Sequence, residues 1–398
     1  MLTAGVICEF DPFHNGHAYL FEKIRQDLGA QRIVCVMSGA FTQRGALAGW
    51  DKFDRARAAV CCGADLVLEL PFAYAVSSAD YFARGGIRIL DSLGCVTHLA
   101  FGSESGDLER LRKSASVLSD AAARNALKQA LRSGLPYPKA AAKAAGDDAP
   151  AGPNDVLASC YLNEIGDQGS SLIPFAVKRK GAGHGESALS GSFASASEIR
   201  SSCRRSGSLE TSASLMPKAA SDILSGSLFA GISAEEKLFS MIRYSVLTNT
   251  SASIAACPEV SEGLENRIKE AVKSSSDIDS LIKAVKTKRY TYARISRALI
   301  QLLCGLTASD MASFDKEKTA YAKVLAFGPA GAEILKEAAL NGAEIISNIN
   351  KYVSKDDTSS SMLALDLLSQ DVYSIATGRK IDQYSDKVCV PKLIDMKR

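Results

Sequence analysis

The sequence predicts an α/β protein in which a Rossmann-like parallel sheet occupies the first half and a mostly α-helical domain forms the second. Two observations lead to this fold class. Short apolar runs alternate with amphipathic helical patterns up to Val177, whereas from about Ser206 the strand signal stops and helical patterns continue to about Gly378. At 398 residues and 46% hydrophobic content the chain can bury two cores. We therefore expect domains at residues 1–205 and 206–398.

The predicted strands are apolar runs without polar alternation, which is typical of a parallel sheet covered on both faces. Gly63 and Gly94 follow two of the helical patterns and suit helix C-termini. Asn154 is a suitable N-cap for a later helix. The predicted strands are Thr3–Cys8, Arg32–Met37, Asp65–Leu70, Val96–Phe101 and Leu172–Val177. The predicted helices are Gly16–Leu28, Asp51–Cys62, Ser78–Leu93, two within Leu108–Ser133, and Asn154–Ile165.

The loops follow from this element order. Pro136–Pro153 and Gly181–Ser192 are rich in glycine and polar or small residues, which predicts loops. In an open parallel sheet, ligands bind beyond the carboxyl ends of the strands. The loops at that edge are Glu9–His17, Ser38–Gly49, Pro71–Ser77 and Gly102–Asp107.

Composition limits the function classes. The net charge of +3 means that any nucleic-acid surface must be a local patch. The ten cysteines include no C-x-x-C pair and no Cys/His cluster with metal-ligand spacing, so we expect a reducing compartment rather than a disulfide framework. The N-terminus lacks the basic region of a signal peptide, and no run approaches the ~20 apolar residues of a membrane span. We expect a cytoplasmic protein.

The strongest functional signal is the turn between the first strand and the first helix, where His14 and His17 flank Gly16. The chain has only four histidines, and two of them lie here. A helix N-terminus is an anion site, and Gly16 allows close approach of a phosphate to the backbone. The two histidines add donors that can stabilise charge developing on a phosphate. The pattern predicts nucleotidyl transfer; the alternative is an ordinary capping and packing pair.

Three further positions belong to the same predicted edge of the sheet. Ser195–Arg200 opens a helix, and its hydroxyls, N–H groups and guanidinium suit a triphosphate tail; we expect Ser197 and Arg200 to hold it. Arg179 follows the fifth strand, and Gly102 ends the fourth. The alternatives are a plain N-cap with a surface arginine, a solvated basic residue and a tight turn.

The densest basic stretch, Lys286–Arg297, is interleaved with tyrosines and lies near a helix start. Such a composition suits phosphate contacts and base stacking. Arg294 and Arg297 are three residues apart and share a helical face. We expect nucleic-acid contacts from this stretch, the alternative being a solvated helix face. The candidate residues are Lys288, Arg289, Arg294 and Arg297.

The turn carries the signature FDP-x-H-x-G-H on Phe10, Asp11, Pro12, His14, Gly16 and His17. This signature resembles that of the HIGH-type nucleotidyltransferase superfamily. Within the superfamily, the chain resembles the family of bacterial tRNA(Met) cytidine acetate ligases. Further segments that resemble the family, in order, are Met37–Gly45, Gly63–Pro71, Phe101–Glu104, Asn154–Leu157 and Thr287–Thr291. The match covers most of the chain.

The resemblance implies an enzyme that activates acetate with ATP as acetyl-adenylate and then acetylates N4 of the wobble cytidine of elongator tRNA(Met). We expect Mg²⁺ with the triphosphate and assign His14 and His17 as the catalytic pair. The family's ATP site maps onto Ile7, Cys8, Glu9, Phe10, Asp11, Pro12, Phe13, His14, Asn15, Gly16, His17, Ala18, Tyr19 and Leu20, with Gly102, Asn154 and Arg179.

The chain departs from the family pattern in a few places. Phe10 and Asp11 stand where the family usually has Tyr-Asn, and Ala46 and Leu47 where it has Glu-Pro. Asp155 replaces the second residue of the family's paired asparagine. These positions bear on the exact contacts to nucleotide and acceptor.

Two other functions stay open from the sequence. A small-molecule adenylyltransferase of the same superfamily would not need the large helical half with its basic stretch. A non-catalytic, nucleotide-responsive RNA-binding protein would not need an intact His-x-Gly-His beside Ser195–Arg200.

Overall fold

The computed structural model describes residues 1–132, 140, 143, 146, 149–150, 152–180 and 193–394. Most of the predicted loop Pro136–Pro153 and all of Gly181–Ser192 lie outside the described residues. The described chain forms a seven-stranded sheet, in the order β5-β4-β1-β2-β3-β6-β7, with helices on both faces. The predicted α/β class is confirmed.

The elements of the first half match the predicted ones within one to three residues at most ends. The strands are β1 Thr3–Cys8, β2 Arg32–Ser38, β3 Leu66–Leu70, β4 His98–Ser103 and β5 Ile173–Lys178. The helices are α1 Asn15–Gln26, α2 Lys52–Cys61, α3 Phe72–Ala75, α4 Ala79–Ser92, α5 Leu108–Ser119, α6 Ala121–Arg132, α7 Pro153–Gln168 and α8 Ala196–Ser206.

The second half is mostly helical but also adds two strands to the sheet. Its helices are α9 Lys218–Ser225, α10 Ile232–Thr248, α11 Ser251–Ala255, α12 Leu264–Ser274, α13 Ile278–Val285, α14 Tyr292–Cys304, α15 Ala308–Lys316, α16 Pro329–Leu340, α17 Asp357–Thr377 and α18 Ile381–Tyr384, with 3-10 turns at Glu210–Leu215 and Ile349–Lys351. The strands are β6 Ala322–Phe327 and β7 Ile345–Ile346.

The expectation that strands end before Ser206 is therefore wrong. β6 pairs antiparallel with β3, so that Leu66 lies opposite Phe327 and Glu69 opposite Lys323. A six-residue apolar run such as β6 cannot be distinguished from a buried piece of helix by periodicity alone. The division at residue 206 stays a prediction.

The N-terminus of α7 also differs from the prediction. Gly152, not Asn154, is the N-cap, and Pro153 occupies the first turn, where a missing N–H costs no hydrogen bond. The backbone N–H groups of Asn154 and Asp155 instead donate to the carboxylate of Glu104, at 3.1 and 2.8 Å. The cap is supplied by the loop after β4, which local sequence cannot reveal.

Alternate residues of the central strands pack into two cores on opposite faces of the sheet. On one face, Val6 and Cys35 pack with residues of α1, α2 and α9. On the other, Val34 and Leu68 pack with α4, α7, α10, α14 and α17. Most helices of the second half thus cover the face that carries α4, whereas α9 packs on the other face. No helix within the described residues is long and apolar enough to cross a bilayer.

Candidate functional site

The turn between β1 and α1 rests on an aromatic base. Phe10 and Phe13 are fully buried, and their ring centroids lie 5.0 Å apart in an edge-to-face arrangement. The ring of His17 lies 4.8 Å from that of Phe10. Phe10 has a φ of 45°, an uncommon conformation for a bulky side chain that occurs where surrounding contacts enforce it. The aromatic base therefore fixes the direction in which the histidines leave the turn.

His14 and His17 form a reciprocal capping box at the start of α1. The N–H of Gly16 donates to Nδ1 of His14 at 3.0 Å, and the N–H of His14 donates to Nδ1 of His17 at 3.2 Å. A neutral imidazole whose Nδ1 accepts a hydrogen bond carries its proton on Nε2. Each ring consequently has an Nε2–H donor left for a ligand. The rings are stacked, with centroids 3.8 Å apart.

Both imidazoles are held in the neutral form. Burial lowers the pKa of His14 to about 3, and the nearby charges of Arg179 and Arg200 act in the same direction. Burial also lowers the pKa of His17 well below its usual value, with His14 and Arg179 contributing. Two stacked imidazolium ions would repel each other. The site thus presents two neutral hydrogen-bond donors next to two guanidinium groups.

Gly16 is required by the histidine itself. A Cβ atom at this position would lie 2.8 Å from Cε1 and 3.0 Å from Nδ1 of His14. These separations are shorter than carbon–carbon and carbon–nitrogen contacts permit. A side chain here would displace the His14 ring, so the glycine serves the capping box as well as the phosphate approach expected from sequence.

Arg200, in the first half of α8, reaches back to the turn. Its guanidinium donates to the backbone oxygen of Asp11 and lies 3.5 Å from the Asp11 carboxylate. The same carboxylate accepts the N–H of Gly49 at 2.8 Å. Asp11 therefore links the turn to α8 and to the loop before α2. Two segments that are far apart in sequence are brought together as predicted.

Arg179, Asn154 and Gly102 form a second cluster near His14. Nη1 of Arg179 lies 3.4 Å from Oδ1 of Asn154, and a Cβ atom on Gly102 would lie 3.3 Å from Cγ of Arg179. Glu104 accepts hydrogen bonds from the backbone and side chain of Asn154. The positions predicted from three separate segments therefore form one cluster, and the carboxylate of Glu104 holds it in place.

Ser197 is exposed, and its hydroxyl lies 3.0 Å from that of Ser195. Ser195 is the N-cap of α8 and forms a capping box with Glu198. Ser195 therefore has the N-cap role that was the alternative to a phosphate contact. A triphosphate contact by Ser197 stays a prediction.

Arg55 is a supporting residue that sequence reasoning missed. It is completely buried and donates to the backbone oxygens of Glu9 at 2.6 Å and Trp50 at 2.9 Å, and to that of Gly39. It thereby ties the loops after β1 and β2 together. The available signal was an arginine on the inner face of α2 beside the small residues Ala56, Ala58 and Ala59.

Glu9 faces the same loop. Oε1 of Glu9 accepts the backbone N–H of Gln43 at 2.6 Å. Burial raises the pKa of this carboxyl group, and the hydrogen bond from Gln43 opposes that shift. The residue after β1 is thereby joined to the loop that follows β2.

The basic stretch is arranged differently from the prediction. Lys288 is exposed, and Arg289 forms a surface ion pair with Glu262 at 2.9 Å. Arg294 and Arg297 do share a face of α14, but both approach Glu259, at 3.4 and 2.6 Å.

The side chain of Arg297 is only 10% exposed. Direct contact of Arg297 with an RNA strand does not fit this burial, because its guanidinium already binds Glu259. Arg294 is partly exposed and stacks over the ring of Tyr290, with Cζ 4.9 Å from the centroid. Lys288 and Arg289 remain as the exposed cations among the four residues.

The comparisons with known proteins agree with this geometry. A family model described as HIGH nucleotidyl transferase matches residues 1–387. A protein named tRNA(Met) cytidine acetate ligase from Clostridium kluyveri is 34% identical to this chain, over 99% of this chain and 100% of its own length. A protein of the same name from Syntrophomonas wolfei is 35% identical to this chain, over 94% of this chain and 95% of its own length. The chain belongs to the HIGH nucleotidyl transferases and, within them, to the tRNA(Met) cytidine acetate ligase family.

Solved structures of this family have the same fold. Apo Thermotoga maritima TmcAL superposes with a TM-score of 0.86 at 26% identity, covering 99% of this chain and 100% of the other. Thermotoga maritima TmcAL bound with alpha-thio ATP gives a TM-score of 0.82 at 28% identity, covering 96% of each chain.

The His, Cys, Asp and Glu side chains of the described residues do not form a ligand cluster for a resident metal ion. No group of three or more His, Cys, Asp or Glu side chains suited to a metal lies within the described residues. Near the turn, Asp11 is already bound by Gly49 and Arg200, and Glu9 by Gln43. A divalent cation at this site would have to be held mainly by the phosphates of a nucleotide.

Proposed function

We propose that the chain is a cytoplasmic ATP-dependent acetate ligase that forms acetyl-adenylate and acetylates N4 of the wobble cytidine of elongator tRNA(Met). One observation carries the proposal. Two neutral, stacked histidines lie at the N-terminus of α1 near Arg179 and Arg200, on a chain whose full-length relatives bear that name. Such a site can bind a triphosphate and stabilise charge at its α-phosphate.

In the first step, a carboxylate oxygen of acetate attacks the α-phosphorus of ATP. The bond to the bridging oxygen breaks, and pyrophosphate leaves in line. The Nε2–H groups of His14 and His17 donate to the phosphate oxygens, where negative charge increases. Neutral donors suit this role because their positions are fixed by the capping box before ATP binds, so little reorganisation is needed.

The remaining site residues position the nucleotide. Arg200 and Ser197 hold the β and γ phosphates, and Arg179 and Gly102 contact the rest of the nucleotide together with Asn154. Mg²⁺, if bound by the phosphates of ATP, would neutralise part of the charge of the triphosphate. The protein's part in this step is alignment and electrostatic stabilisation.

In the second step, N4 of the cytidine attacks the acetyl carbonyl carbon. The bond between that carbon and the AMP oxygen breaks, N4 loses a proton, and AMP leaves. The tRNA must be held so that the acetyl group is not lost to water. Lys288 and Arg289 are the exposed cations proposed for this purpose, and Arg294 and Arg297 support the segment through Glu259.

The test is turnover with defined substrates. The protein is incubated with labelled ATP, Mg²⁺, acetate and an elongator tRNA(Met) transcript, and each component is omitted in turn. We expect AMP and N4-acetylcytidine only in the complete mixture, with the modified base identified by mass spectrometry.

The two alternatives give other results. AMP attached to a small acceptor would identify an adenylyltransferase. Binding of ATP and tRNA without turnover, with the wobble cytidine of a deletion strain unchanged from that of wild type, would identify a binding protein. Chelation by EDTA should stop pyrophosphate release if Mg²⁺ accompanies ATP.

A further inference from the structure

The segment after β2 forms a tight hairpin, residues 41–47, that we call the Arg44 hairpin. Phe41 and Leu47 form an isolated antiparallel bridge at its base, and both are buried. Above them, the N–H of Thr42 donates to the backbone oxygen of Ala46 at 2.9 Å. Arg44 is at the tip.

The Arg44 hairpin is fixed on both sides. On one side, the N–H of Gln43 donates to Glu9, the residue that follows β1, at 2.6 Å. On the other, the hydroxyl of Ser296 in α14 donates to the backbone oxygen of Gly45 at 2.8 Å. A Cβ atom on Gly45 would lie only 2.6 Å from the backbone nitrogen of Arg297. The hairpin thus connects the histidine turn to the N-terminal half of α14.

Arg44 differs from the other arginines near the site. It is exposed, and in the described part of the chain it has no hydrogen bond or ion pair. By contrast, Arg294 and Arg297 are paired with Glu259. Its guanidinium is therefore available to an anion that comes from solution.

The position of Arg44 narrows the class of anion that its guanidinium can bind. The hairpin lies between Glu9, beside the histidine turn, and α14, which directly follows Lys288 and Arg289. A polynucleotide that contacts Lys288 and Arg289 and delivers a base to the histidine turn would have to pass this hairpin. A planar, five-donor guanidinium matches a phosphodiester better than a lysine does.

We propose that Arg44 binds a backbone phosphate of the tRNA next to the wobble cytidine and thereby places N4 at the acetyl-adenylate. This inference rests on the proposed function. It assigns the contact to the catalytic half of the chain, so that the RNA is held by both halves at once. The rival role is a contact of Arg44 with ATP or acetate in the first step.

The two roles are separated by measuring the two steps on the same variants. Acetate-dependent exchange of pyrophosphate into ATP reports the first step without tRNA, and the KM for tRNA reports the second. For Arg44→Ala we expect exchange within about twofold of wild type and a KM for tRNA raised about tenfold. The slope of log affinity against log salt should fall by about 0.7 to 0.9, as for the loss of one phosphate contact.

Two further variants sharpen the test. Arg44→Lys keeps the charge but not the bidentate geometry, so its KM should lie between those of wild type and Arg44→Ala. Arg57→Ala is the matched control, because Arg57 is an exposed arginine on α2. This helix packs on the face of the sheet opposite to the face that carries α14. It should leave exchange, KM and salt slope unchanged.

Loss of exchange in Arg44→Ala would overturn the inference in favour of an ATP or acetate contact. An unchanged KM for tRNA would also overturn it, and so would equal loss of both steps with a lowered melting temperature, since that indicates a structural role. If the wild-type protein does not acetylate tRNA, the proposed function is wrong. That result is distinguishable from failure of the Arg44 inference, which shows only in the comparison of variants with an active wild-type protein.

Discussion

The turn between β1 and α1 that carries His14 and His17 (the histidine turn) and the basic stretch Lys286–Arg297 (the basic segment) both present nitrogen donors. The two regions differ in the charge of those donors and in how it is balanced. In the turn, burial keeps His14 and His17 neutral, and backbone hydrogen bonds fix their rings. In the basic segment, Glu262 and Glu259 form ion pairs with Arg289 and Arg297 and compensate part of the positive charge. Fixed neutral donors suit a reacting phosphate, whereas exposed charges suit a long anionic partner whose binding depends on salt.

The largest effect on this difference between the two regions is expected from a substitution of His17. We expect His17→Ala to lower the rate of acetyl-adenylate formation by about 10²–10³, because one preorganised donor to the transition state is lost. The salt dependence of tRNA binding should stay as in wild type. Acetate-dependent pyrophosphate exchange and filter binding measure the two quantities; near-normal exchange would refute the assignment of the catalytic pair.

Gly16→Ala tests whether ring position, rather than ring chemistry, is what matters. The new methyl group would push His14 aside, and a displacement of about 1 Å can cost up to 10²-fold in rate. We expect exchange to fall about tenfold to a hundredfold, with melting temperature measured in parallel. Gly166→Ala is the matched control, since no atom lies within 4 Å of a Cβ there; equal effects in both variants would argue against the role of Gly16.

The neutral state of the histidines predicts how stability depends on pH. The pKa of His14 is lowered from 6.5 to about 3 on folding, so the unfolded chain binds a proton that the folded protein does not. Its contribution to stability is complete above pH 6.5 and is lost as the pH falls toward 3. Between pH 7 and pH 5 the loss amounts to about 2 kcal/mol in the free energy of unfolding.

Urea unfolding of wild type and of His14→Asn at both pH values measures this contribution. The variant should lose less stability between pH 7 and pH 5 than wild type does. Parallel pH curves for the two proteins would mean that His14 is not neutral in the folded state.

The smallest effect is expected in the basic segment. Replacing Lys288 and Arg289 together by Ala should weaken tRNA binding about tenfold and reduce the salt slope, because two exposed phosphate contacts are removed. Acetyl-adenylate formation should be intact. Equal loss of both activities, or full tRNA affinity, would place the tRNA surface elsewhere.

The parts of the molecule that sequence predicts well are those whose partners are close along the chain. β1 to β5 are apolar runs, and the turn that carries His14 and His17 follows the first of them and precedes an amphipathic helix. The parts that it misses depend on distant partners: the ion pairs of Arg297 with Glu259, the cap supplied by Glu104 and the backbone contacts of Arg55. A charge pattern shows which residues carry charge, but not which carboxylates already neutralise them.

The pairing of β6 with β3 has a consequence for synthesis and for dissection of the protein. Until Ala322–Phe327 has left the ribosome, β3 is an open apolar edge strand, and such edges promote aggregation. A fragment that ends at residue 205 would keep that edge permanently, so we expect it to precipitate rather than to retain the first step. The histidine turn near the N-terminus is thus synthesised early, but the sheet that carries it gains the second partner of β3 only when Ala322–Phe327 has been added.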